Sequence, residues 1–365
     1  MIAGGGTGGH VFPGIALAEA FLSAFPGGAV SFVGTESGLE ARAVPARGFA
    51  IDFVPSGQVR GKGAGAIRGI ARMTRGFAVA FSVLRRRRPD AVFGVGGYAS
   101  VPVALAATLS GIPLFLQEQN SVPGRANRLL GRAARRVFAG FAGAVPFFPD
   151  GRAVVTGNPV RRDVVAAALA SRGVRPSGVP FTVFAMGGSQ GARSINGLVL
   201  AMARAVRKDA RPMRFILQTG GAEFEAVAAA VRAEELPVEP FAFSERIWEV
   251  FPRADAVLMR AGALSVAEAA LFGKPCVLVP YPFAADRHQE KNAEEFCAGG
   301  GGVWMRQEEA TGGKVLGIFS SWAEDPFRLA AASEAAAAFG RPGAADEIVR
   351  SALREAGIGE GAARV

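Results

Sequence analysis

The sequence predicts an α/β protein made of two doubly wound domains facing each other across a cleft. Three observations carry that prediction. Short apolar runs alternate with longer alanine- and leucine-rich segments, the pattern of parallel strands joined by crossover helices. The alternation pauses near Thr156-Gly157-Asn158-Pro159 and a glycine- and proline-rich stretch at 173–180, then restarts. Glycine, 49 of 365 residues, is well above its usual share of about 7% and clusters where strands give way to helices.

In chain order, a short first strand at 1–3 leads through a glycine loop into a helix from about residue 14 to 25. Apolar runs bounded by glycine or proline place strands at 29–33, 50–55, 91–94, 113–116 and 136–139. Helices fall at about 66–88, 101–109 and 124–132. After the pause, strands are expected at 181–186, 214–218, 237–240, 256–258 and 276–279. Helices begin near Gly191, Glu223, Glu245, Ser265 and Gln289, and a last one spans about 344–356. These elements set two Rossmann-like domains, 1–162 and 163–340, and a C-terminal helical segment, 341–365, expected to pack back on the first domain.

Composition bounds the function. Half the residues are hydrophobic and 20% are charged, enough apolar side chain for a sizeable core, which excludes disorder as the main state. The 27 uncharged residues between Asp90 and Glu118 contain Gly94, Gly96, Gly97, Pro102, Gly111 and Pro113, so they read as strand, turn and helix rather than a membrane span. The opening residues lack a basic region and an apolar run, so no signal peptide is expected, although the first strand is short and the true start could lie upstream. Two cysteines, Cys276 and Cys297, make no disulfide framework and suit a reducing compartment.

The positive charge is lopsided. Residues 1–163 hold 19 basic and 8 acidic side chains, and the remainder 22 and 23. The first half is therefore expected to meet an anionic partner: nucleic acid, an acidic membrane or a phosphorylated substrate. Between Phe53 and Pro89 there is no acid but there are nine bases: Arg60, Lys62, Arg68, Arg72, Arg75 and the run Arg85, Arg86, Arg87, Arg88. Phe77, Phe81 and Leu84 recur there at helical spacing. A core-packed helix with a solvated basic face would look the same. An amphipathic helix on anionic lipid, gaining about 1 kcal/mol per base, is the favoured reading, because no nucleic-acid recognition motif accompanies the bases.

Three glycine loops share one design: Gly4-Gly5-Gly6-Thr7-Gly8-Gly9-His10, Gly94-Val95-Gly96-Gly97-Tyr98-Ala99-Ser100, and Met186-Gly187-Gly188-Ser189-Gln190-Gly191-Ala192. Glycine allows a tight turn, and the helix that follows offers free N–H groups and a partial positive charge, so each is expected to be an anion site. Any one alone could be an ordinary strand-to-helix turn. Gly4, Gly6 and Gly9 also fit a dinucleotide fingerprint, but the acid it needs at the end of the second strand is replaced by Gly34-Thr35, with Glu36 too late. A nicotinamide enzyme therefore stands second.

Of two histidines, His10 closes the first loop, where the helix field keeps imidazole neutral and fit for a general base. His288 is expected to be a surface helix-start residue. Ser265 and Glu268 have capping-box spacing; a competing reading sets Glu268 on a ribose diol. No residue spacing suggests a metal.

Taken together, these motifs resemble the MurG family of bacterial glucosaminyltransferases of peptidoglycan synthesis. The matching residues are Gly4 to His10 continuing through Val11-Phe12-Pro13-Gly14, then Gly96-Gly97-Tyr98, Glu118-Gln119-Asn120, Gly157-Asn158-Pro159-Val160-Arg161, Gly187 to Ala192, Arg260 to Glu268, and Asp286 to Asn292. The resemblance implies a GT-B fold and an inverting, metal- and cofactor-independent transfer of N-acetylglucosamine from UDP-GlcNAc to the C4 hydroxyl of lipid I, the undecaprenyl-linked muramoyl acceptor. It implies Thr7, Gly8, Gly9, Asn120, Arg161, Ser189, Ser244, Ala263, Leu264, Ser265, Val266, Ala267, Glu268 and Gln289 as donor-binding, with His10 as base. Ser244 departs from the family, where an apolar residue is common. The acceptor and membrane side is expected at Gly96, Gly97, Tyr98, Arg72, Arg75, Phe77, Phe81 and Arg85. It further implies peripheral attachment to the cytoplasmic face of the bacterial inner membrane and association with other wall-synthesis proteins.

Overall fold

The computed structural model describes residues 1–56, 64–171, 180–188 and 191–358, with the backbone alone for 64–73. The chain divides into two compact units: Met1–Arg162 together with Pro342–Val365, and Asp163–Arg341.

Unit 1 runs β1 (Ile2–Gly4), α1 (Gly8–Ala24), β2 (Ser31–Gly34), α2 (Glu40–Ala43), β3 (Ala50–Phe53), α3 (Ala64–Arg87), β4 (Val92–Gly96), α4 (Ser100–Leu109), β5 (Leu114–Glu118), α5 (Arg125–Leu130), β6 (Arg136–Ala139) and β7 (Ala153–Val155). All seven strands are parallel, in the order β3-β2-β1-β4-β5-β6-β7. Ile2 sits between Phe32 of β2 and Phe93 of β4, so β1 is central although only three residues long.

Helix α1 begins at Gly8, six residues before the expected start, and continues through Pro13. Glycines and a proline oppose helix locally. Burial of Val11, Ile15 and Leu17 overrides that propensity.

From α6 (Arg162–Ala170) the chain passes into unit 2. That unit runs β8 (Phe181–Met186), α7 (Arg193–Lys208), β9 (Met213–Gln218), α8 (Phe224–Ala233), β10 (Val238–Phe241), β11 (Ala256–Met259), α9 (Ala263–Leu271), β12 (Cys276–Leu278), α10 (His288–Ala298), β13 (Gly302–Trp304), α11 (Gly312–Glu324) and α12 (Pro326–Phe339). Its six strands are parallel, ordered β10-β9-β8-β11-β12-β13. The helix expected near Glu245 is absent: two 3₁₀ turns, Ile247–Glu249 and Phe251–Arg253, stand there. Pro252 supplies no N–H and its ring would clash with the preceding turn, which disfavours an α-helix there.

The last helix, α13 (Ala344–Ala356), belongs to unit 1. Ile348, Val349 and Ala352 join Ile15, Leu17 and Ala20 of α1 in one buried cluster. Glu355 accepts from Arg136 Nε at 2.7 Å, and its carbonyl accepts from Arg135 at 2.7 Å. Among the described residues no helix is long and apolar enough to cross a membrane.

Candidate active site

Each sheet has one place where strand order reverses, between β1 and β4 in unit 1 and between β8 and β11 in unit 2. Open α/β sheets bind ligands at such points, outside the carboxyl ends of the strands.

At the reversal in unit 1 the first two glycine loops meet. Gly5 N–H donates to the Gly96 carbonyl at 3.3 Å. A side-chain carbon on Gly97, whose φ is +82°, would run into the Gly5 backbone. One on Gly96 (φ +93°) would lie 2.7 Å from His10 Cδ2 and 3.0 Å from Nε2. The imidazole of His10 is thus seated against the second loop, while its backbone N–H donates to Thr7, the residue capping α1, at 3.0 Å. Tyr98 is exposed just beyond, and α4 is entered through Ser100, whose hydroxyl donates to Gly97 at 2.7 Å.

The first loop is not the open anion cradle that its glycines suggest. Gly6 N–H already donates to Glu40 Oε2 at 2.7 Å. Glu40 Oε1 accepts from the Thr35 N–H and hydroxyl, both at 2.8 Å. Glu40 is 1% exposed. Burial pushes its carboxyl up, but these hydrogen bonds outweigh burial and hold it below the ordinary carboxylate range. Gly5, Gly34 and Gly38 all abut this side chain so closely that a Cβ on any of them would collide with it. A resident negative charge on one loop N–H disfavours a phosphate there. Sequence reasoning passed over Glu40; its signal was an acid shortly past the end of β2, framed by Gly34 and Gly38.

After β5 the chain enters a buried polar network. Glu118 accepts from Asn120 N–H at 2.9 Å, Asn127 Nδ2 at 2.8 Å and Gly124 N–H at 3.3 Å. Burial pushes its carboxyl up, and those bonds offset only part of the rise. Asn158 donates to the Gln119 carbonyl at 3.0 Å and accepts from Gln117 at 3.1 Å. Gln119 in turn donates to the Val95 carbonyl at 2.8 Å, tying this segment to β4. Arg161 is 7% exposed, with its guanidinium 4.7 Å from the centroid of the Phe12 ring on α1. Asn120 and Arg161 are therefore held on the same unit as His10.

The basic helix is divided. Leu84 is buried and Phe77 packs on the core, so part of the expected lipid-facing stripe points inward. Phe81 is 36% exposed with Arg85 over its ring at 5.9 Å, and Arg75 is exposed. The Arg72 side chain lies outside the described residues. Arg86 and Arg87 pair with Asp52 at 2.7 and 2.8 Å. Helix α4, packed on α3, adds exposed Leu105 and Leu109.

In unit 2, Ser189 lies outside the described residues. Gly188, beside it, accepts from Gln218 Nε2 at 3.0 Å, and α7 begins shortly after. Past β11, Arg260 is buried and donates to the Val279 and Pro280 carbonyls at 3.0 Å, to Ser194 at 2.7 Å and to Gln307 at 2.6 Å. It ties the segments that follow β12 and β13 to the first turn of α7, another role that the sequence did not reveal.

Helix α9 starts at Ala263 with Gly262 as its cap. Ser265 is therefore the third helical residue and not the cap, which removes the capping box: Gly262 keeps the extended backbone a cap requires. Ala263, Val266 and Ala267 are buried, whereas Leu264, Ser265 and Glu268 are half-exposed on one face. Any ligand at this end meets those three side chains and the first-turn N–H groups.

Ser244 is half-buried in the loop after β10, and its hydroxyl accepts from Arg246 N–H at 3.1 Å. Gln289 Oε1 accepts from Tyr281 N–H at 2.9 Å, which leaves the amide nitrogen as its remaining polar group. His288 opens α10 on the surface, with Nδ1 2.8 Å from the Ala285 carbonyl.

Comparison with known proteins assigns this arrangement. The N-terminal domain of glycosyltransferase family 28 matches residues 1–139, and its C-terminal domain matches 182–348. The chain is 38% identical to the UDP-N-acetylglucosamine–N-acetylmuramyl-(pentapeptide) pyrophosphoryl-undecaprenol N-acetylglucosamine transferase of Trichlorobacter lovleyi, covering 97% of both chains. It is 40% identical to the transferase of the same name from Pelobacter propionicus, over 97% of this chain and 98% of that one. The crystal structure of MurG from Acinetobacter baumannii superposes with a TM-score of 0.78 at 28% identity, covering 97% of this chain and 98% of that one. Two Rossmann-like units with glycine loops at their reversal points, and homology along nearly the whole length, place this chain in glycosyltransferase family 28.

Proposed function

We propose that this chain transfers N-acetylglucosamine from UDP-GlcNAc to the C4 hydroxyl of the muramoyl unit of lipid I, releasing UDP and forming lipid II. Identity of 38–40% to transferases named for that reaction, over 97% of the chain, is the observation that carries it.

The reaction makes a bond from the acceptor oxygen to the anomeric carbon and breaks the bond from that carbon to the UDP oxygen. His10 takes the acceptor proton, and UDP leaves with the negative charge. Its seat against Gly96 fixes the ring without a side chain between them. Such a base contributes about 10²–10⁴-fold. In unit 2, the α9 N-terminus supplies N–H groups and Ser265 and Glu268 supply polar side chains for the nucleotide beside Leu264, while Ser189 and Ser244 keep the donor-binding roles that the resemblance implies. Gln289, its oxygen already engaged, donates its amide to a sugar hydroxyl. Thr7, Gly8, Gly9, Asn120 and Arg161 are the contribution of unit 1, where the Arg161 cation offsets developing phosphate charge.

Exposed Phe81, Leu105 and Leu109, with Arg75 and Arg85, support attachment of unit 1 to an anionic membrane surface where the lipid acceptor resides. Association with other wall-synthesis proteins at the cytoplasmic face belongs to the same reading. Radiolabel from UDP-GlcNAc should appear in a lipid I analogue incubated with the folded chain; no transfer would reject the proposal.

A further inference from the structure

Glu40 stands outside every role assigned above, yet the chain is shaped around it. It is almost wholly buried, it is ionised in its ordinary state, and all three of its bonded partners donate. A buried charge is costly unless it is saturated with donors. Here the saturation comes from Gly6 on one side and Thr35 on the other, and three glycines leave the space. Loop 5–7 is also held by Gly5 N–H on the Gly96 carbonyl at 3.3 Å, by Leu39 N–H on the Gly6 carbonyl at 3.5 Å, and by the Thr7 carbonyl, which accepts from His10 and Val11 N–H at 3.0 and 3.1 Å. His10 stands four residues past Gly6, in the first turn of α1.

We infer that Glu40 is the positioning residue of the first glycine loop: by holding Gly6 N–H it fixes the entry of α1 and so the placement of the His10 imidazole. The inference rests on the proposed transfer for its kinetic consequence only. Glu40→Gln is the informative change. The amide keeps the shape and one acceptor, but its NH₂ must confront a donor, either Gly6 N–H or the Thr35 pair. Keeping the two Thr35 bonds sacrifices Gly6, so the loop is released while α2 stays anchored.

The chain has two histidines, so its imidazole NMR signals number two, and His288→Gln assigns them. In Glu40→Gln the His10 signal and its titration midpoint should move while those of His288 stay, and turnover should fall about tenfold or more, by a larger factor than UDP affinity. An unmoved His10 signal overturns the inference, as does an equal loss of UDP affinity and turnover. The NMR readout needs no transfer activity, so a chain inactive toward lipid I would reject the proposed reaction and leave this test standing. Should Glu40→Gln not fold, Thr35→Val, which removes one donor to Glu40, takes its place. A smaller shift of the His10 signal supports the role, and none refutes it.

Discussion

Two titratable side chains bracket the first glycine loop, His10 at its exit and Glu40 on its Gly6 N–H. His10→Ala should lower kcat by about 10²–10⁴-fold while calorimetric affinity for UDP changes little; parallel losses in both would remove the base assignment. Glu40 also makes stability depend on pH. Its folded-state carboxyl titrates below the ordinary value of about 4.3, so its stabilisation is complete above that value and drains away as pH falls through the folded one. The difference in unfolding free energy between wild type and Glu40→Gln should therefore be widest at neutral pH and narrow below about pH 4, as measured by denaturant titration. At this scale the sequence was legible where chemistry is local, as with a glycine run ending in histidine. Glu40, Asn158 and Arg260 were hidden because their partners lie far away in the chain: Gly6 is 34 residues from Glu40, and Gln119 is 39 from Asn158.

Helix α3 shows how an element divides its labour. Ala80, Val83 and Leu84 face the core, Phe81 and Arg85 face outward, and Asp52 engages Arg86 and Arg87. The hydrophobic period alone marked a stripe but not which of its edges sheet packing would claim. Replacing Phe81 and Leu109 by Ser should weaken binding to vesicles containing anionic lipid in sedimentation, with little change in unfolding midpoint, since both are exposed. Equal binding to neutral and anionic vesicles at low salt would refute the electrostatic part of this reading.

Among elements, the long apolar strands were plain from sequence: β8 spans the expected 181–186. Short edge strands β7 and β13, three residues each, fell below any pattern's reach. Helix α12 did carry a readable start, Asp325 before Pro326, with the Asp325 carboxylate accepting from Phe327 and Arg328 N–H at 3.0 and 3.2 Å. It was missed because alanine-rich sequence offers little amphipathic contrast.

At the scale of the molecule, charge and connectivity both distinguish the units. The basic excess belongs to unit 1, which is completed from two separate stretches of chain. Ile348 is wholly buried against α1, so Ile348→Ala should cost about 2–5 kcal/mol. Limited proteolysis should then cut unit 1 faster while unit 2 keeps its resistance. Fold class was legible because alternation is repeated over the entire length. The packing of α13 on α1 joins residues more than 300 positions apart: the helix itself was legible in the sequence, but the side chains it meets on α1 are not encoded by periodicity.

That late closure bears on how the protein is born. A ribosome adding roughly 5–20 residues per second needs tens of seconds or less to cover the stretch separating Arg162 from Pro342. Throughout that interval the nascent amino-terminal half carries an uncovered greasy flank where α13 will dock, beside a surface dense in arginine. Holding chaperones, or a premature encounter with lipid, would find their opening there, while the intervening half can mature undisturbed.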